Sequence, residues 1–303
     1  MRIVFFGTPE FAAYSLKRLF DAGKNVVAVV TAPDKPAGRG LQMQSSAVKK
    51  MALELGLPIL QPEKLKADSF IQELKALDAD LGIVIAFRML PEMVWSMPRL
   101  GTFNLHGSLL PNYRGAAPIN HAIIQGEKQT GVTTFFLRHE IDTGDLLLQH
   151  AVTIEDDDNA GTLHDKLMIA GANLVLETLN NIESGSYTTT PQALTGKEKT
   201  APKIFKDFCR LSADDSVLDN HNKVRGLFPF PAAWLESEFG TVKILETALP
   251  AIALSVHQTN LTIYNKGLFM RCKDGWLEVK KLQPAGKPAM TAKDFINGFA
   301  NKK

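Results

Sequence analysis

Asn104 and His106 stand two residues apart at the end of the run Gly101-Thr102-Phe103-Asn104-Leu105-His106, and Asp142 follows downstream in Glu140-Ile141-Asp142-Thr143-Gly144. An amide, an imidazole and a carboxylate can together stabilise an oxyanion, move a proton and orient the ring that moves it, with no nucleophilic Ser or Cys. Such a set suits direct acyl transfer between two bound substrates. In an extended strand the period of two puts Asn104 and His106 on one face and Leu105 on the other. Gly107 and Pro111 end the strand. Open α/β sheets bind their ligands at the carboxyl ends of such buried strands. Taken singly, each residue has a plainer role: Asn104 bracing a loop, His106 a satisfied core histidine, Asp142 a turn former.

The elements that must position these side chains follow from apolar spacing. Residues 2–6 and 26–31 read as buried strands, with helical spacing over 10–20 between them. Residues 47–55 and 69–77 read as helices, and 81–86 and 101–105 as further strands. Strands over 131–137 and 145–154 follow, then a long helix over 162–181 whose Thr162-x-x-Asp165 spacing fits a capping box. This alternation predicts an α/β domain, doubly wound around a mostly parallel sheet, over residues 1–183. Residues 184–203 are poor in large apolar side chains and rich in turn formers, as a linker is. Beyond them, a helix within 213–226 and short strands over 241–247, 261–264, 267–273 and 276–281 predict a small all-β module at 204–303.

A chain of 303 residues with 45% hydrophobic content can build one large core and a second small one. The apolar run at residues 2–7 ends in a turn, so no leading signal peptide is expected, and no stretch reaches the ~20 apolar residues of a membrane span. Cys209 and Cys272 form no CxxC and the seven histidines form no HExxH, so a cytoplasmic protein without disulfide or metal is expected. From Lys197 onward 17 Lys and Arg face 11 Asp and Glu; upstream 17 face 21, and the net charge is +2. A basic second module on a mildly acidic first one suits a polyanionic partner, and Lys197, Lys199, Lys203 and Lys206 cluster near the linker. A well-solvated lysine surface is the plainer account.

A dinucleotide cofactor is disfavoured at the first strand–helix turn. Gly7-Thr8-Pro9-Glu10-Phe11-Ala12 holds one glycine where the dinucleotide fingerprint needs three, and Glu10 would face a pyrophosphate with like charge. Asp34 lies past Pro33 in a loop rather than at a strand tip, where a ribose-binding acid would stand.

The segment Ser108-Leu109-Leu110-Pro111-Asn112-Tyr113-Arg114-Gly115-Ala116-Ala117-Pro118-Ile119-Asn120, together with Asn104-x-His106 and Asp142, resembles the folate-dependent formyltransferases, and the likeness runs essentially end to end. The resemblance implies a Rossmann-like formyltransferase domain followed by an OB-like β-barrel, with Asn104, His106 and Asp142 as the catalytic trio. It implies 10-formyltetrahydrofolate as co-substrate, with Phe87, Arg88, Ser108, Leu109, Leu110, Pro111 and Ile141 at folate-binding positions. Pro36-Ala37-Gly38-Arg39-Gly40 and Leu282-Gln283-Pro284-Ala285-Gly286-Lys287 resemble the branch of the family that acts on methionine carried by initiator tRNA. There Lys35 and Arg39 would reach the acceptor stem, with Arg39 central, and Lys203 and Lys206 would add tRNA contacts. A monomer without DNA or membrane partners is expected. Arg114 is expected to brace its loop, and His121 to be structural.

In the chemistry so implied, a neutral α-amine, which titrates near ~8, attacks the formyl carbon. Asn104 and His106 meet the charge on the formyl oxygen, while Asp142 holds the His106 tautomer and takes up the amine proton directly or through water. A family member acting on an amino-sugar nucleotide would share the trio but lack the Pro36 to Gly40 motif. The chain departs from the usual pattern at Ala86-Phe87-Arg88-Met89-Leu90-Pro91, where Arg88 stands at a glycine position, and at Arg225-Gly226-Leu227-Phe228-Pro229-Phe230-Pro231.

Overall fold

The computed structural model describes residues 1–37, 42–252 and 259–300. They form two compact units: residues 1–115, 130–152 and 164–200 in one, and 116–129, 153–163 and 201–303 in the other.

The first unit is built on seven strands: β1 (Ile3–Gly7), β2 (Val26–Val30), β3 (Ile59–Leu60), β4 (Leu81–Ile85), β5 (Thr102–His106), β6 (Gln129–Phe136) and β7 (Leu146–Thr153). Their order across the sheet is β7-β6-β5-β4-β1-β2-β3. From β3 to β5 all neighbours are parallel, and β6 runs antiparallel to β5. β1 and β4 are buried at every residue, with no polar alternation, as parallel strands covered on both faces require. The helices Glu10–Asp21, Ala47–Glu54 and Asp68–Ala76 return the chain between parallel strands. On one side of the sheet Val4, Phe6, Val30 and Val84 pack with Phe70, Leu74 and Val94. The doubly wound, mostly parallel architecture expected from the sequence is present.

Two details fix β5. Leu105 lies opposite Thr134 and faces the helix Ala160–Ser184, where a Cβ on Gly171 would come within 2.8 Å of the leucine Cδ2. A larger residue at 171 would make the Leu105 side chain give way. The same helix is joined to β6 by a buried 2.7 Å hydrogen bond between Thr134 Oγ1 and Thr178 Oγ1. Alternation then turns Asn104 and His106 to the opposite face, with His106 across from Thr133.

The helix begins at Ala160 rather than 162, and its box is not the expected Thr162–Asp165 pair. Asn159 Oδ1 accepts from Thr162 N at 3.1 Å while Thr162 Oγ1 accepts from Asn159 N at 3.0 Å, so the reciprocal cap closes one turn earlier. The segment after Thr31, expected as a loop, contains an antiparallel pair, Lys35–Ala37 with Gln42–Gln44.

The second unit carries β8 (Ala233–Ser237), β9 (Gly240–Ile252), β10 (Leu261–Tyr264), β11 (Gly267–Cys272) and β12 (Gly275–Pro284), ordered β8-β9-β12-β11-β10. This antiparallel half-barrel is consistent with the OB-like expectation. β9 outruns its predicted span because register shifts at Ile244, Glu246 and Ala248 let the chain stay paired while it bends. The helix Val217–Leu227 lies in the expected stretch and runs one residue past it, starting where Ser216 Oγ accepts from Asp219 N at 3.0 Å. Its Val224 and Leu227 join Leu235, Ile244, Leu268, Leu277 and Val279 in the core. No helix among the described residues is long and apolar enough to cross a membrane.

His221 on that helix pairs its Nδ1 with Thr247 Oγ1 at 2.8 Å, and burial, with Arg225 nearby, pushes the imidazole from 6.5 down to about 4. The unfolded chain therefore takes up this proton near pH 6.5 and the folded one only near 4. The contribution is fully present above pH 6.5 and is lost as pH falls toward 4. Urea midpoints measured across that window should fall, and His221→Gln should flatten the dependence. Identical slopes for the two proteins would exclude His221 as a source.

Candidate active site

His106 closes β5, and the turn that follows it is anchored by one hydroxyl. Thr133 Oγ1 donates to the Ser108 carbonyl at 2.6 Å and accepts from Leu110 N at 3.2 Å and from Gln149 Nε2 at 3.0 Å. Gln149 also donates to the Leu110 carbonyl at 2.9 Å. Ser108 Oγ donates to the Asn112 carbonyl at 2.6 Å, which closes the turn on itself. Ser108 and Leu110 are buried and Leu109 and Pro111 half-buried, with a cis bond between Leu110 and Pro111.

The turn delivers the Tyr113 carbonyl to within 2.8 Å of His106 Nε2. A carbonyl only accepts, so Nε2 carries a proton and the neutral ring presents an unprotonated Nδ1. Nδ1 lies 3.9 Å from Asp142 Oδ2, with both side chains largely buried. That distance is too long for a hydrogen bond but short for charge. The tautomer is therefore set by Tyr113, not by the carboxylate as the sequence suggested. A second proton on the ring would sit at Nδ1, facing Asp142.

Asp142 occupies the left-handed region, with φ 55°, which aspartate tolerates better than most residues. Its Oδ2 accepts from Gly115 N at 3.0 Å. The turn is held against β6, where Phe136 N donates to the Asp145 carbonyl at 3.1 Å. On its other side Gln192 Nε2 donates to the carbonyls of Asp142 and Gly144 at 2.9 and 2.8 Å. Asn104 Oδ1 is buried and has no hydrogen-bond partner among the described residues. A buried polar atom left so costs on the order of 1–3 kcal/mol, and such cost is commonly concentrated where a ligand is handled. Amide, imidazole and carboxylate thus stand at the end of β5 and the turn beside it, equipped to polarise a carbonyl oxygen and move one proton.

The remaining positions singled out in the sequence divide. Phe87 is half-buried, its ring centroid 6.0 Å from that of Phe6. Arg88 donates to the Pro62 carbonyl and, at 2.8 Å, to the Glu63 carbonyl, and its guanidinium carbon lies 5.7 Å from the Phe87 ring. It braces the turn, where Ala86 takes a positive φ of 46°. Ile141 is 65% exposed beside Asp142. Lys35 is exposed on its short strand, and Arg39 lies outside the described residues. In the second unit Lys203 and Lys206 are exposed, with Nζ 5.6 Å from the Phe205 ring and 5.8 Å from the Trp234 ring. His121 is buried there, its Nε2 3.0 Å from the Pro202 carbonyl. Asp34 pairs with Lys49 at 2.5 Å, which holds its carboxyl below the ordinary range. Thr133, Gly115 and Gln192 were not singled out. They act through long-range hydrogen bonds, which leave no period in a sequence. No group of three or more His, Cys, Asp or Glu among the described residues is arranged to hold a metal ion.

Comparison with known proteins bears on both units. Residues 1–179 match a formyl transferase family model, and residues 203–300 match a model of the formyl transferase C-terminal domain. The chain is 51% identical over 310 residues to a methionyl-tRNA formyltransferase of Parabacteroides distasonis, covering 99% of this chain and 96% of that one. It is 49% identical over 308 residues to the same-named protein of Bacteroides fragilis, covering 99% and 95%. Among solved structures, WlaRD, a sugar 3N-formyl transferase with dTDP and 5-N-formyl-THF, superposes with TM-score 0.69 at 19% identity, over 95% of this chain and 99% of that one. HypX from Aquifex aeolicus in complex with tetrahydrofolic acid gives 0.65 at 18%, over 99% of this chain and 47% of that one. At such identities the structural matches establish fold alone.

Gly144 tests the close packing of the Asp142 turn. A Cβ there would stand 1.6 Å from the Phe136 carbonyl oxygen, so Gly144→Ala must push the turn off β6. The expected loss is about 1–3 kcal/mol in urea unfolding. An unchanged midpoint would contradict the contact.

Proposed function

Because the chain belongs to the formyl transferase family, we propose that its trio carries the formyl group of 10-formyltetrahydrofolate to the α-amine of methionyl initiator tRNA, releasing tetrahydrofolate and N-formylmethionyl-tRNA. The observation that carries this is identity near one half, over almost the whole length, with proteins named for that activity. Sugar formyltransferases match in fold at much lower identity.

The α-amine titrates near ~8, so a useful fraction is neutral without a strong base. Holding amine and formyl carbon side by side removes much of the entropic barrier, with effective molarities of ~10⁵ M or more for well-oriented pairs. As the bond forms, charge collects on the formyl oxygen. The Asn104 amide, whose NH₂ end replaces the unpartnered oxygen after a half-turn, meets that charge. A protonated Nδ1 of His106 is the second donor, since Nε2 is committed to Tyr113. Asp142, 3.9 Å from Nδ1, receives the amine proton directly or through water. The C–N bond to folate then breaks, and the departing nitrogen takes the proton that Asp142 received, directly or through water.

Within this assignment the turn Ser108 to Pro111 lies under the folate, with Phe87, Ile141 and Leu109 as apolar neighbours. Arg88 acts there through the shape of its turn rather than through its charge. Lys35, Arg39, Lys203 and Lys206 are assigned to tRNA phosphates, and no metal takes part. Residues 1–183 are the catalytic domain, 184–203 the linker and 204–303 the tRNA-binding domain. One chain is the working unit, in the cytoplasm, without DNA or membrane partners.

Labelled formyl should pass from the folate donor to charged initiator tRNA, and not to elongator tRNA or an amino-sugar nucleotide. Asp142→Asn should lower kcat roughly 10²- to 10³-fold with folate affinity little changed. Arg39→Ala should lose tRNA substrate while still binding folate. Transfer to the sugar nucleotide in preference to tRNA would sink the assignment of the acceptor.

A further inference from the structure

Gln192 lies in the turn-rich segment expected to be only a linker, yet all four hydrogen-bonding positions of its amide are engaged at the site. Its Oε1 accepts from Arg114 Nε at 3.2 Å and Nη2 at 2.5 Å. Its Nε2 donates to the Asp142 and Gly144 carbonyls at 2.9 and 2.8 Å. The neighbour of Arg114, Gly115, donates its N–H to the Asp142 carboxylate at 3.0 Å. The bonds form a closed ring from the Arg114 side chain through Gln192 to the Asp142 backbone, and from the Asp142 side chain back to the main chain of Gly115. Two residues away, Thr190 and Leu146 exchange both backbone hydrogen bonds, at 2.8 and 3.0 Å, and tie the same segment to the start of β7.

We propose that Gln192 is a positioning residue that fixes the Asp142 carboxylate opposite His106 Nδ1, a role that rests on the trio acting as assigned above. Asp142 sits in a left-handed conformation that an unsupported turn would relax, and relaxation would swing its carboxylate relative to the ring. The amide orientation is forced by chemistry. Guanidinium offers only donors and carbonyls only acceptors, so the oxygen must face Arg114 and the NH₂ the turn. Glutamate keeps the acceptor end and the Arg114 pairing but offers no donor to the two carbonyls when ionised. Leucine keeps the bulk and loses both ends.

The test is a double-mutant cycle on the full chain, comparing wild type, Gln192→Glu, Asp142→Asn and the double variant, with Gln192→Leu alongside. For each, kcat and KM are measured with the folate donor and charged tRNA, together with folate affinity and the thermal midpoint. Gln192→Glu should lower kcat by about 10- to 100-fold in the wild-type background, with both KM values and folate affinity within about twofold. In the Asp142→Asn background the same change should cost less than about twofold, because what it positions is already lost. An equal cost in the two backgrounds, an effect confined to KM, or a wild-type kcat for Gln192→Glu beside a slow Asp142→Asn would overturn the positioning role alone. A wild-type rate for Asp142→Asn would overturn the trio assignment and this role with it. Should Gln192→Leu fail to fold, the glutamate variant, which retains its Arg114 partner, still decides the question.

Discussion

His106 has one ring nitrogen committed within the fold itself. The hydrogen bond from Nε2 to the Tyr113 carbonyl at 2.8 Å leaves Nδ1 as the only nitrogen able to exchange a proton, and it turns that nitrogen toward Asp142. Much of the surrounding structure serves this bond. Thr133 and Gln149 pin the turn after β5, Ser108 closes it, and Tyr113, at φ 60°, presents its carbonyl inward. Lys199 receives the Tyr113 N–H at its carbonyl, 2.5 Å away, and its own N–H meets Asn112 Oδ1 at 3.2 Å. The backbone of one residue thus sets both the tautomer and the direction of the imidazole. A carboxylate 3.9 Å away can then work through its charge, without having to hold the ring.

How much of this was legible in the chain depends on the range of the interaction. The shared face of Asn104 and His106 follows from the period of two, and the buried runs Ile3–Gly7 and Leu81–Ile85 announce a parallel sheet by lacking polar alternation. Helix ends were less legible. Thr162-x-x-Asp165 has box spacing, whereas the backbone bonds close the reciprocal cap between Asn159 and Thr162, a pair whose second member is not the acid or amide that marks a box in a sequence. The extent of β9 was hidden by its register shifts, because a bulge breaks the alternation that marks a strand. Thr133, Gly115 and Gln192 were hidden for a different reason. A glutamine after a proline in a turn-rich segment looks like solvent-facing linker, and nothing local states that it meets Arg114 and Asp142, 78 and 50 residues away.

Arg88 shows how an exposed cation can serve the shape of a turn. Ala86 takes the positive φ and the arginine reaches back to the carbonyls of Pro62 and Glu63, which tethers the turn. In the second unit, aromatic rings beside Lys203 and Lys206 limit the rotamers of side chains that would otherwise be mobile cations.

The clasp on Asp142 changes where the first unit can be cut. A fragment ending at Ser184, after the long helix, would contain Asn104, His106 and Asp142 and the whole seven-stranded sheet, and would look complete by every secondary-structure criterion. It would lack Thr190, Gln192 and Lys199, whose bonds hold both loops that flank the imidazole. A fragment that keeps these loops in place has to extend through residue 200, so the turn-rich segment after the long helix belongs to the structure around the imidazole.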